Sequence, residues 1–97
     1  MVDKLDNATL TQALDDLNGW THDKERDAIQ KTFIFRNFNE AFAFMTACAM
    51  EAERIQHHPE WFNVYKTVDV TLTTHDVDGL SDLDIKMAQF MDKTAAK

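Results

Sequence analysis

The sequence predicts a two-layer α+β domain with the element order α-β-β-α-β-β-α, a four-stranded, mainly antiparallel sheet carrying its helices on one face. Two pairs of alternating segments joined by short polar turns read as hairpins. A run from Phe38 to Gln56, free of glycine and proline, separates them, and apolar residues at helical spacing mark a further helix at either end. Two hairpins and amphipathic helices bury their apolar sides most simply by stacking the helices on one sheet. With 97 residues there is room for one domain, 1–97, and little surface to bury, so self-association would add stability.

In the first helix Leu10, Ala13, Leu14 and Leu17 follow the i, i+3, i+4, i+7 pattern, with Asn7 or Thr9 as cap and Asn18-Gly19 as stop. Trp20–His22 and Ala28–Phe35 then alternate, placing Ile29, Phe33 and Phe35 on one face, with DKERD as the turn. Asn37 and Glu40 form an N-x-x-E capping pair ahead of the longest helix. Its first half carries two apolar stripes, Phe38, Phe42, Met45 and Ala49 beside Ala41, Phe44 and Cys48, where a surface helix needs one. The second stripe is expected to form a subunit interface, and a charge at whichever of Phe44 or Cys48 lies outward would weaken it. After Pro59, strands are expected over Phe62–Tyr65 and Val68–Thr74, turning at Lys66-Thr67. Ser81 and Asp84 then form a capping box for the last helix, with Leu80 and Ile85 as a staple and Leu83, Met87, Phe90 and Met91 as the buried stripe.

Composition excludes several classes of function. Ten Lys and Arg stand against 17 Asp and Glu, for a formal net charge of -7, and the cations are scattered, so direct binding to nucleic acid or to an anionic membrane is disfavoured. Cys48 is the sole cysteine, which leaves no intrachain disulfide and makes a reducing cytoplasm the expected home. The start MVDKLDNATL has neither the basic beginning nor the apolar core of a secretory signal. The most apolar stretch, Ala41 to Met50, falls well short of a membrane span.

The chemistry concentrates between Glu53 and Asp84, which holds three of the four histidines and the only proline and tyrosine. A residue before proline avoids the α region, so His58 should be extended and the long helix should end near Gln56 or His57. His57 then lies at a helix carboxyl end, where the macrodipole favours a cation, one turn after the carboxylate of Glu53. His75 closes the last strand, and strict alternation turns it outward with Thr71 and Thr73. A helix end and a strand end could thus bring imidazoles to one cleft for proton transfer. Asp84 is accounted for as a cap and Trp20 as a core aromatic. Three histidines and a carboxylate also suggest zinc or iron, but adjacent His57 and His58 rarely serve one ion and there is no HExxH. A Ser or Cys hydrolase fares no better: Cys48 falls inside the apolar helix and no glycine frames a serine.

The run Glu53, His57-His58-Pro59, Tyr65, His75, Asp84, together with PEWFNVY and TLTTH, resembles the signature of the pterin-4a-carbinolamine dehydratases, known in animals also as the dimerisation cofactor of a homeodomain transcription factor. Trp20 corresponds to the tryptophan that follows the family's first helix, and Gln56 replaces the aspartate of its animal members. The resemblance implies dehydration of 4a-hydroxytetrahydropterin to quinonoid dihydropterin, which recycles the cofactor of aromatic amino-acid hydroxylases, with no metal or redox cofactor. It implies that His57 and His75 are the acid-base groups, in either order, and that His58 binds and orients the pterin. Glu53 and Asp84 would tune or hold the imidazoles and Trp20 would wall the pocket. Backbone around Thr73, Thr74 and Asp76 and the turn Gln56 to Pro59 would meet the pterin ring. The implied partners are the pterin and further copies of the chain, as a homodimer or homotetramer through the 38–56 helix. The alternative is a binding or assembly protein, or a transcriptional cofactor, of the same fold.

Overall fold

A computed structural model of the chain describes residues 2–97. Along the chain run α1 (Asn7–Asp16), β1 (Thr21–Asp23), β2 (Ala28–Ile34), α2 (Phe38–Ile55), β3 (Glu60–Val64), β4 (Thr67–Leu72), a single 3-10 turn (His75–Val77) and α3 (Asp82–Ala95). The strands form one sheet in the order β1-β2-β4-β3. All three pairings are antiparallel, Ile29 facing Leu72 at the centre and Trp61 facing Val70 on the outer pair. The expected order and layering are what the molecule has. Because α2 carries the chain from β2 across to β3, β4 returns beside β2 and β3 is left at the edge.

Alternation decides the inner face. Ile29 and Phe33 on β2 and Val68, Val70 and Leu72 on β4 are buried, and they meet Ala41, Phe44, Cys48 and Ala52 of α2 and Ile85, Met87, Ala88 and Met91 of α3. The outer face shows Thr32, Asp69, Phe62 and Val64 to solvent. The Cys48 thiol, closed in this core, is pushed up to about 12 by burial, so it stays a neutral packing group.

Several local expectations are corrected. The cap of α1 is Asp6, whose carboxylate accepts from the Thr9 N–H at 2.8 Å, rather than Asn7 or Thr9. On α2, Asn37 does cap through the Glu40 N–H at 2.9 Å, but Glu40 reaches back to the N–H of Arg36. The β3–β4 turn is Tyr65-Lys66, one residue earlier than expected, with Tyr65 left-handed at φ 52°. Asn63 makes this tolerable by donating to the carbonyls of Tyr65 and Thr67. Phe44 and Cys48 both face the core, at 3% and 0% exposure, and the outward residues of α2 are Phe38, Phe42, Ala49 and Met50. Strand β4 stops at Leu72, so His75 opens the 3-10 turn instead of ending a strand. Thr73 turns inward, its hydroxyl donating to the Asp27 carbonyl at 3.1 Å.

Candidate active site

Helix α2 ends because Gln56 takes a left-handed conformation (φ 55°, ψ 45°), its N–H going back to the carbonyls of Ala52 and Glu53. The His57 N–H follows to Ala52 O at 2.9 Å. Spare helix carbonyls are thereby satisfied, and the chain is reversed sharply enough to send His57 and His58 in different directions. His57 goes inward, 7% exposed, and its Nε2 lies 2.6 Å from Asp84 Oδ1. His58 goes outward and meets Glu53 Oε1 at 2.9 Å. The expected pairing of Glu53 with His57 is therefore corrected: Glu53 holds His58. That hydrogen bond, with a second from Gln56 behind it, keeps the Glu53 carboxyl below the usual glutamate range.

Asp84 is fully buried and each of its oxygens is used. Oδ1 takes His57, while Oδ2 accepts from the Thr74 hydroxyl at 2.7 Å and from the Ser81 N–H at 2.9 Å. The last contact is one half of the predicted capping box of α3. Since the Thr74 hydroxyl donates to Asp84, the Ser81 hydroxyl must donate to Thr74 across their 2.6 Å contact, leaving Ser81 Oγ to accept from the Leu83 N–H. No buried side-chain polar atom among the described residues lacks a partner. With the Asp84 carboxylate accepting at Oδ1, His57 carries a proton on Nε2. Nδ1 takes no protein partner among the described residues and is the ring atom left for exchange.

The segment after β4 is pinned from below. Thr74 and Gly79 pair across the loop at 2.8 and 3.3 Å, and the Asp27 carboxylate takes His22 Nε2 at 2.7 Å and the Leu80 N–H at 3.2 Å. A side chain at Gly79 would run into that carboxylate, so glycine is needed there for close approach. His75 itself stands at the rim, its side chain 80% exposed, with Nε2 3.5 Å from Glu60 Oε2. Glu60 in turn receives the Arg26 guanidinium at 2.9 and 2.8 Å, which holds its carboxyl below the usual range.

Gln56, His57, His58, Thr73, Thr74, His75 and Asp76 line one shallow depression of about 230 Å³, closed by Val2 and Leu83. Four expected site residues are absent from its lining, Asp84 among them because it lies buried against His57. Pro59 only sets the turn, and Glu53 acts behind His58. Trp20 lies in the core, edge-on to Phe33 with ring centroids 5.9 Å apart, because its indole N–H is committed to the Asp92 carboxylate at 3.1 Å. This corrects the expectation that it walls the pocket. Reading the sequence paired Ser81 with Asp84 as a capping box but missed Thr74 as a partner of Asp84 and Glu60 beside His75. The run TTH before a helix cap was the available signal for the first, and a carboxylate directly after HHP for the second.

Residues 3–94 match the family model described as pterin 4 alpha carbinolamine dehydratase. The chain belongs to that family. It is thus placed among the hydro-lyases, and the likeness to relatives extends over nearly its whole length. A Dinoroseobacter shibae protein described as a pterin-4-alpha-carbinolamine dehydratase is 60% identical over 97 residues, 98% of this chain and 100% of its own. One of the same description from Rhizobium meliloti is 54% identical, over 96% of this chain and 89% of its own. The fold matches the crystal structure of a transcriptional coactivator/pterin dehydratase from Brucella melitensis with a TM-score of 0.92 at 47% identity, covering 95% of this chain and 98% of that one.

Proposed function

We propose that this chain dehydrates a 4a-hydroxytetrahydropterin to the quinonoid dihydropterin with His57 and His75 as the two proton-transfer groups. Losing water from C4a needs a proton delivered to the departing hydroxyl and one removed from the neighbouring ring nitrogen. The nitrogen's electron pair then forms the C=N bond as the C–O bond breaks. Two imidazoles lining one depression meet that demand, and positioned groups of this kind supply about 10² to 10⁴ in rate. The observation that carries the reading is the buried His57–Asp84 contact at 2.6 Å, which fixes the tautomer and leaves Nδ1 to the substrate. His58, held by Glu53, orients the pterin, and the backbone of Gln56, Thr73, Thr74 and Asp76 meets its ring. No step calls on a metal or redox cofactor.

Stopped-flow absorbance of the carbinolamine tests the reading. His57→Ala should slow its disappearance by about 10²-fold, whereas His22→Ala should not; equal wild-type rates in both would end the proposal. Dialysis against a strong chelator should leave the rate unchanged.

The chain is further read as a homodimer or homotetramer built through α2. Phe38, Phe42 and Met50 are 44%, 55% and 70% exposed, and the two phenylalanine rings pack 5.7 Å apart on its outer side. A contiguous apolar face of this kind is what subunit interfaces cover. Sedimentation equilibrium should give a multiple of 11.2 kDa, reduced by Phe42→Glu; a wild-type monomer at micromolar concentration would refute it. A reducing cytoplasm suits the single buried thiol of Cys48.

A further inference from the structure

The geometry points to Glu60, clamped by Arg26, as a positioning residue for His75, doing at the rim what Asp84 does for His57 in the interior. This inference rests on the reading of His75 as a proton-transfer group. Glu60 opens β3 directly after Pro59 and pairs with Thr71 of β4, which turns its side chain to the outer face of the sheet, toward the 3-10 turn that begins at His75. Arg26, 34 positions away on the β1–β2 turn, meets it with two parallel N–H bonds, 2.9 Å to Oε1 and 2.8 Å to Oε2. A bidentate guanidinium fixes both the place and the plane of a carboxylate. A surface pair of this exposure contributes little to stability, so its consequence lies in what it aims.

What it aims at is the imidazole of His75, whose Nε2 lies 3.5 Å from Oε2. Among the described residues no other carboxylate comes within ion-pair distance of that ring. The contact is longer than a hydrogen bond, as contacts around catalytic groups in free enzymes often are, and a small ring rotation closes it. Once closed, Nε2–H points at Glu60 and Nδ1 is left to the substrate, the same tautomer that Asp84 imposes on His57. Two carboxylates of unrelated origin, one from a helix cap and one from a strand start, then present the same ring atom of two histidines to one depression.

Three variants test this. Glu60→Gln should lower kcat about tenfold while KM moves less than twofold. Nitrogen-15 spectra of the His75 ring should pass from a predominant Nε2–H tautomer to a mixture. The charge-reversed pair Arg26→Glu with Glu60→Arg rebuilds the cross-link but sets a cation beside His75. It should keep the wild-type melting temperature and remain as slow as Glu60→Gln. If the reversed pair recovers the wild-type rate, the two residues are only a brace and the inference falls. Wild-type kcat in Glu60→Gln, beside a slow His75→Ala, overturns it as well; wild-type kcat in His75→Ala removes the role of His75 itself.

Discussion

His57 and His75 line the same depression, yet one is seated in the core and the other stands in water. His57 sits against a carboxylate whose remaining capacity is taken by a threonine hydroxyl and a backbone N–H, all of it buried. His75 rides on a one-turn helix, and among the described residues only the Glu60 carboxylate, itself half exposed, comes within ion-pair distance of its ring. The difference follows from the cost of burial: a polar ring taken into the core must have its hydrogen bonds completed, whereas a ring at the surface can borrow water. A site built this way has a buried wall and an exposed rim, and stability and activity should respond differently on the two sides.

The sharpest way to break the comparison is Asp84→Asn. The amide can offer its oxygen to His57 only by turning its NH₂ group onto the donors Thr74 Oγ and Ser81 N. The expected outcome is a loss of about 10²-fold in rate and, from unmet buried bonds costing about 1 to 3 kcal/mol, a melting temperature lower by roughly 10 °C. Calorimetry and stopped flow on the same sample check both, and a stable, active variant would mean that the wall is not held as described. Next comes His75→Ala, expected to slow the reaction about tenfold with the melting temperature unchanged, since its side chain is largely exposed. A clear loss of stability here would erase the distinction between wall and rim.

Thr74→Val removes one donor to Asp84 and should lower stability by about 1 kcal/mol and the rate by a smaller factor than either change above. The smallest effect concerns Glu53, whose carboxyl is lowered by the hydrogen bond from His58. A carboxyl lowered in the folded state contributes above its unfolded value and loses that contribution as pH falls through the folded one. Carbon-13 NMR should therefore show Glu53 titrating below about 4.3, the ordinary glutamate value, and His58→Ala should bring it back up.

Periodicity made the fold legible. The stripe on α1, the alternation of Val68, Val70 and Leu72, and the Ser81–Asp84 capping box all lie within a few residues of one another, so their geometry is set locally. The lining of the depression was legible for the same reason, since HHP must break a helix and TTH must follow a strand. What could not be read is which partner each polar group finds across the fold. Glu53 and His57 stand at helical spacing, but the left-handed turn at Gln56 hands Glu53 to His58 instead. Trp20 meets Asp92, 72 positions on, a contact no local rule contains. Likewise two apolar stripes on α2 are equally good in sequence, and only the packing of the helix against the sheet and α3 makes Ala41, Phe44 and Cys48 the inner one.

Asp84 is at once the N3 half of the capping box of α3 and the partner of His57, and this double duty shapes how such a chain can change over time. Replacing His57 removes a proposed proton-transfer group but leaves the helix its start; replacing Asp84 disturbs both in a single step. Descendants that drift away from catalysis should accordingly discard imidazole first and retain the aspartate long afterwards, a relic kept for the architecture after the chemistry has gone.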